Sequence, residues 1–304
     1  MTLNPALDLT YTVGALTPHT THQVTAVAAR PGGKGLNVAT ALHALGEPVL
    51  ATGILGGTVG AQLTDLLQAS GLPASFLAAP IESRRTVAVV DGRDATGFWE
   101  PGPHLPAPSW PAFLDHFRTL LPQASVVALC GSLPPGAPLD GYATLTLIAA
   151  EHDVPVILDT SGPALREGLS ARPHLVKPNA AEATELTPDR SAGWRERADR
   201  VRSLGARAVV LSRGPEGLLA VTGDDSWEAA PPEVVAGNPT GAGDACVAAL
   251  ARGVRDGTPW PETLADAVAL SAATVAAPTA GSFDRDTYHR LRAAAVVTPH
   301  PKES

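Results

Sequence analysis

The strongest constraint on this chain is a repeated alternation between short apolar runs and stretches of helical periodicity. The runs 49–55 (VLATGIL), 125–130 (SVVALC), 154–159 (VPVILD) and 208–212 (AVVLS) hold too few polar side chains to leave one face in water. Between and after them lie stretches that predict helices over 36–45, 61–69, 140–151, 194–204, 244–252 and 262–277. The first places Leu36, Ala39 and Leu42 on one face and stops at Gly46, and Gly71 and Gly205 close two others. Strands buried on both faces and separated by helices give a mostly parallel sheet covered on both sides. The expected fold is therefore α/β and doubly wound.

Two segments break the rhythm, 10–29 and 84–99. Both alternate in the β manner with no helix between strands. In the second, Val87-Ala88-Val89-Val90 runs into Asp91-Gly92 and returns through Phe98-Trp99, a strong hairpin signal. Together they predict a small antiparallel flap on the main sheet. Its apolar face should cover a ligand, pair with a second copy, or both. The Pro-rich stretch 101–111 reads as a loop, and the tail after Val297 is expected to fray. With 304 residues the chain suffices for one large α/β domain, 1–304, carrying this lid.

Composition excludes several functions. Hydrophobic residues make up 44% and charged residues 17%, the balance of a folded globular protein. No run of eighteen apolar residues predicts a membrane span. Met1-Thr2-Leu3-Asn4-Pro5 lacks the basic and apolar regions of a secretion signal, so the cytoplasm is the expected location. The net charge is -8 and Lys and Arg form no cluster, which argues against a nucleic-acid groove. An anionic ligand must then be met locally, by backbone N–H groups and a few placed cations. Cys130 and Cys246 have no metal-like spacing and read as small buried hydrophobes.

The most informative motif is Asn238-Pro239-Thr240-Gly241-Ala242-Gly243-Asp244, which runs into a helix. Glycines at a helix start let backbone N–H groups converge on an anion, assisted by the helix dipole. Asp244 in the first turn could be a simple cap. The glycines on both sides of Ala242 point further, because a cap needs no such close backbone approach.

This GAGD entry into a helix resembles the signature of the ribokinase-like (PfkB) sugar kinases. The resemblance implies that Gly241, Ala242 and Gly243 form an anion hole for the migrating phosphoryl group. It implies that Asp244 takes the proton of the attacking hydroxyl. Gly32-Gly33-Lys34-Gly35-Leu36-Asn37-Val38-Ala39 resembles the family's N-terminal signature, with Gly32, Gly33, Lys34 and Asn37 at the sugar. It is no Walker A loop, since no Ser or Thr follows the lysine. Asn4-Pro5-Ala6-Leu7-Asp8 resembles the sugar-binding strand end, with Asp8 accepting from hydroxyls. Only Met1-Thr2-Leu3 precede it, so either the first strand is short or the chain begins late. Lys177-Pro178-Asn179-Ala180-Ala181-Glu182 matches an element in which Asn179 and Glu182 hold Mg²⁺ through water; these residues also read as a plain helix start. Lys177, Asn179, Ser212, Gly214, Gly217 and Thr240 are implied along the ATP, with 272–276 and Gly281 around its adenine.

Smaller features are similar to the 1-phosphofructokinase and tagatose-6-phosphate kinase branch: Ser83-Arg84-Arg85-Thr86, Glu100-Pro101-Gly102-Pro103, Gly131-Ser132-Leu133-Pro134-Pro135-Gly136 and Asp159-Thr160-Ser161-Gly162. A substrate that already bears a phosphate needs extra cations, and Lys34 and Arg85 are the candidates; Arg85 could equally be a solvated edge charge. The implied reaction is MgATP-dependent phosphorylation of a ketohexose phosphate, with fructose 1-phosphate as first choice. Tagatose-6-phosphate or 6-phosphofructokinase activity comes next, then another sugar or nucleoside kinase. A sugar or nucleotide sensor on the same fold is the non-enzyme alternative. A homodimer through the lid is implied, with no nucleic-acid or membrane partner.

Overall fold

The computed structural model describes residues 1–301 apart from 190, 224 and 278–280. In chain order the elements are β1 (Ala6–Thr12), β2 (Ala26–Gly32), α1 (Lys34–Ala44), β3 (Ala51–Leu55), α2 (Gly57–Ala69), β4 (Ala74–Ala78), β5 (Arg84–Val90) and β6 (Ala95–Trp99). Then come α3 (Ser109–Leu120), β7 (Val127–Cys130), α4 (Gly141–Ala150), β8 (Val156–Asp159), α5 (Gly162–Leu169), β9 (Leu175–Val176), α6 (Ala180–Leu186), α7 (Trp194–Ser203) and β10 (Ala208–Ser212). The last are β11 (Leu218–Val221), β12 (Asp225–Ala230), α8 (Ala242–Asp256), α9 (Trp260–Val275), α10 (Arg285–Ala294) and β13 (Val296–Pro301). All ten stretches predicted as helices or main strands lie on elements of that type, with ends shifted by a few residues.

The main sheet runs β13-β12-β11-β10-β9-β8-β7. Strands β7 to β10 are parallel and β10 to β13 antiparallel. Alternation sends neighbouring side chains to opposite layers. Leu158 and Val209 pack with Phe113, Phe117, Tyr142 and Leu165, whereas Ile157 and Val210 pack with the Ala-rich α8 and α9. Both faces are thus buried, which is why these strands carry no polar side. The parallel pair β3–β4 joins β7 through a bridge at Thr2, which pairs with both Gly53 and Cys130. The first strand is therefore reduced to a bridge, pinned by Thr2 N–H donating to Thr52 O at 2.9 Å.

The lid is a four-stranded sheet of order β2-β1-β5-β6. The Asp91–Asp94 turn closes the β5–β6 hairpin where the sequence placed it. The lid is not wholly antiparallel, because β1 and β5 pair in parallel. Both leave the body in the same direction after separate crossovers. Two further differences have local causes. Helix α3 follows directly on the Pro-rich loop, driven by the i, i+4 pair Phe113 and Phe117, both fully buried. The tail does not fray at Val297 but forms β13 along β12, where Ser226 Oγ donates to His300 O at 2.8 Å. Its prolines are tolerated because it is an edge strand.

Leu158 is 0% exposed, at the centre of the sheet under α4 and α5. Leu158→Ala is expected to cost about 2–5 kcal/mol of stability, read as a lower urea midpoint with an unchanged slope.

Candidate active site

Helix α8 begins at the carboxyl end of the parallel strands, where open α/β sheets form their crevice. Gly241 supplies the turn into it with φ 88° and ψ -7°, left-handed values that a β-carbon resists. The Ala242 N–H closes a turn onto Pro239 O at 3.2 Å. The next amide, that of Gly243, has no acceptor within the helix, as at any helix start. A side chain at Gly243 would stand 3.5 Å from Lys177 Nζ. An ammonium and a helix N-terminus therefore face the same small space, both favouring an anion.

Asp244 sits one residue further on and is buried. Asn37, on α1, donates through Nδ2 to Asp244 Oδ2 at 2.7 Å, across 207 positions of sequence. Burial is the largest influence on its acidity and raises the carboxyl from the usual carboxylate range to about 7. The charge of Asp159 adds to the rise, while the Asn37 hydrogen bond and the two lysines oppose it. A carboxylate that titrates near neutrality, with one oxygen held by an amide, on a residue that lines a cleft, is suited to general-base work.

Asp159, at the end of β8, is fully buried and organises the cations. Its Oδ1 lies 3.0 Å from Lys34 Nζ and 3.4 Å from Lys177 Nζ. Its Oδ2 is buried without a hydrogen-bond partner. Burial pulls both lysines down, yet Asp159 and its acidic neighbours prevail and hold both above their ordinary values, so both stay charged. Glu182 Oε1 lies 3.9 Å from Lys34 Nζ. Asn179 and Glu182 also close a capping box on α6: Asn179 Oδ1 accepts from Glu182 N–H, and Glu182 Oε2 from Asn179 N–H.

Lys34, Asp159, Lys177, Asn179, Gly241, Gly243 and Asp244 line a cleft of about 890 Å³, whereas Asn37 and Glu182 do not. Of the residues expected along a nucleotide, Lys177, Asn179, Ser212, Gly214 and Gly217 line it, and Thr240 does not. The Thr240 N–H instead donates to Asn238 Oδ1 at 3.0 Å. The lining also has an apolar part, with Val234, Val235, Leu218, Val268, Ala272 and Val275. The 231–237 stretch carries no helical or strand periodicity and no motif, so the sequence offered no signal for its place here. Gly281 lies outside the cleft, packed against Asn37 and Thr40.

The remaining candidates lie on the lid. Asp8 is held at both oxygens: Thr86 Oγ1 donates to Oδ1 at 2.5 Å and Arg30 to Oδ2 at 3.0 Å. Gly32 abuts the same carboxylate, and a β-carbon there would lie 2.1 Å from it. Gly33, with φ 102°, turns the chain into α1 and so delivers Lys34 and Asn37. Strand register separates the two arginines of β5. Asp8 pairs with Thr86 and shares its face, whereas Arg85 pairs with buried Leu7 on the opposite face, near Glu82. Arg84 is the arginine on the Asp8 side; its Nε and Nη1 donate to Asn4 O and Glu100 O, both at 3.0 Å. Alternation of the strand therefore places Arg84, and not Arg85, on the face that carries Asp8. Cys130 and Cys246 are buried free thiols pushed up to about 12 by burial, outside this chemistry.

The model of the pfkB family carbohydrate kinases matches residues 1–287. Among solved structures, Escherichia coli phosphofructokinase-2 in complex with fructose-6-phosphate is 29% identical, with a TM-score of 0.85, covering 96% of this chain and 97% of that one. The same enzyme in complex with potassium gives 28% and 0.87 over the same shares. A Thermotoga maritima protein described as a possible 1-phosphofructokinase shares the fold at 23% identity and a TM-score of 0.87, over 98% of both chains.

The raised acidity constant of Asp244 has a consequence for stability. Its folded value, about 7, exceeds the ordinary 3.8, so between these pH values the native state binds more protons than the unfolded one. Ionisation of Asp244 then opposes folding increasingly as pH rises through that window. Asp244→Asn is expected to raise Tm relative to the unsubstituted protein at pH 8, with the gain shrinking towards pH 4, as followed by calorimetry.

Proposed function

The chain belongs to the pfkB family and is a carbohydrate kinase, and we propose that it transfers the γ-phosphoryl group of ATP to a primary hydroxyl of a phosphorylated ketohexose. Fructose 1-phosphate, giving fructose 1,6-bisphosphate, is the first choice, on the motifs of the 1-phosphofructokinase branch. The observation that carries the reading is Asp244: a buried carboxylate with an acidity constant near 7, oriented by Asn37, one residue from a glycine-lined helix tip and Lys177.

The steps follow from that arrangement. The sugar lies between the lid and α1, its hydroxyls on Asp8. Its attacking hydroxyl reaches the Asp244 oxygen that Asn37 leaves open. As the oxygen bonds to the γ-phosphorus, its proton passes to Asp244 and ADP departs. Phosphoryl transfer asks mainly for positioning and for compensation of negative charge. The Gly243 amide, the α8 N-terminus, Lys177 and Lys34 supply the second, and the apolar part of the cleft suits the nucleobase.

The donor set fits Mg²⁺. Asp159 Oδ2 is buried and unpartnered, and Glu182 Oε1 makes only a loose contact with Lys34. Among the described residues no cluster of three or more His, Cys, Asp or Glu would enclose a metal. Such sparse, hard oxygen donors suit an ion that keeps its waters and phosphate oxygens. Asp159 and Glu182, with Asn179 beside them, would hold it through water; when bound it offsets charge on the phosphates.

A second substrate, fructose 6-phosphate, is favoured by the 29% identical Escherichia coli enzyme, whose structure holds that sugar. The product is the same bisphosphate. A homodimer through the lid is supported by the exposure of Val27, Phe98 and Trp99, at 63%, 59% and 75%, apolar side chains that a second copy would cover.

In a coupled ADP assay, fructose 1-phosphate is expected to outperform fructose 6-phosphate and tagatose 6-phosphate. Asp244→Asn should lower turnover by about 10²-fold or more while still binding substrate, and kcat/KM should fall as pH drops below about 7. Retained turnover in that variant would remove Asp244 as the base. Light scattering should read twice the chain mass of 31.1 kDa, and Trp99→Arg should shift it towards the monomer.

A further inference from the structure

A second cavity, of about 500 Å³, lies where β8, β9 and β10 begin, at the opposite end of the parallel strands from the crevice that α8 enters. Its size suits a small metabolite. Arg172, His174 and Arg207 line it, together with Asp153 and apolar residues such as Val154 and Pro155. Among the described residues, the side chains of Asp153, Arg172 and Arg207 make no hydrogen bond or ion pair. His174 is half-buried. Burial, and after it the charge of Arg207, hold its acidity constant below the ordinary 6.5. The ring and that guanidinium are therefore within electrostatic reach of each other. The lining sets two guanidiniums against one carboxylate, an excess of positive charge in a chain whose net charge is -8.

The backbone singles out the same place. Asp153 and Arg172 have φ 56° and 58°, and with His19 they are the non-glycine residues of positive φ among the described residues. Asp153 makes the left-handed turn that ends α4, where Val154 N–H donates to Ala149 O at 3.0 Å. Arg172 does the same after α5, its N–H donating to Leu169 O at 3.1 Å. Such a turn usually falls to glycine, and α1, α2 and α8 make it at Gly46, Gly71 and Gly257. The two helices that end at this cavity instead carry charged side chains where a β-carbon is strained. Strain of this kind gathers at ligand sites. A cation after a helix can simply complement its carbonyl end. That reading fits Arg172 but not Asp153, whose charge has the wrong sign for the end of α4.

We propose that this cavity is a second binding site, for a small hydroxylated organic phosphate whose phosphoryl group is held by Arg172 and Arg207. Guanidinium forks match phosphate oxygens and hold them with charge-assisted hydrogen bonds. Asp153 defines the rest of the ligand. A carboxylate repels a bare phosphate ion but accepts from a hydroxyl, so it favours a phosphate ester that carries one. The site lies at the other end of β8 from Asp159, so filling it leaves the candidate active site open.

The test is calorimetric titration with glycerol 3-phosphate, inorganic phosphate and glycerol. Glycerol 3-phosphate is expected to bind more tightly than inorganic phosphate, and glycerol not to bind. Arg172→Gln and Arg207→Gln should each raise the Kd for glycerol 3-phosphate about 10-fold or more, the size of losing one charged hydrogen-bonding partner. Arg84→Gln, on the lid, should leave that Kd unchanged. Arg172→Gly, which suits the left-handed backbone, should lose the affinity without lowering Tm. The proposal is overturned by the absence of saturable binding, or by equal affinity for inorganic phosphate. It is overturned equally by a Kd that responds to Arg84→Gln and not to the two cavity arginines, which would put the ligand at the lid. A lower Tm in Arg172→Gly would mark that arginine as a structural cap and overturn it as well.

Discussion

The site depends on one hydrogen bond, from Asn37 to the buried carboxylate of Asp244. It ties the start of α1 to the start of α8, the two helices whose N-terminal loops carry the glycine motifs. A carboxylate this deep is expensive to ionise, and its acidity constant near 7 records that expense. Without the amide the side chain would turn freely and be harder still to ionise. The bond holds one oxygen in place and favours the charged form, against the burial that raises the acidity constant.

Around that bond the electrostatics are layered. Asp159 holds two lysines by one oxygen and leaves the other unpartnered, so the cations are positioned without being fully neutralised. Burial lowers the acidity constant of Lys177, and its acidic neighbours more than offset that, so it stays charged. The helix tip and these ammonium groups face one small volume, while another part of the cleft lining is apolar. An amphipathic nucleotide has the same two parts. The lid adds a separate charge system built on Asp8, Arg30 and Arg84, isolated from the first by the turn at Gly32 and Gly33.

Much of this was legible in the residues. Apolar strands, helical periodicity and terminating glycines mark the layers, because burial on both faces leaves no room for polar side chains. The two glycine motifs mark the loops, because close backbone approach excludes a β-carbon. Other features were hidden for identifiable reasons. Helix α3 begins inside a run of prolines that reads as loop. Strand β13 gains its order only from β12. Arg84 and Arg85 are indistinguishable in composition, and strand alternation alone sends one to the Asp8 face and the other away from it. Asp159 ends a strand as many aspartates do, and nothing local shows two lysines converging on it.

The sequence by itself determined the layered α/β architecture, the lid hairpin and the glycine-lined helix start that carries Asp244. Each rests on local chemistry: periodicity, turn propensity and the absence of a β-carbon. Tertiary structure alone decided that Asn37 meets Asp244, that Asp159 gathers Lys34 and Lys177, and that Arg30 rather than Arg85 pairs with Asp8. Those contacts join residues separated by up to 207 positions, and their geometry is set by sheet register and helix packing, which no short stretch of sequence encodes.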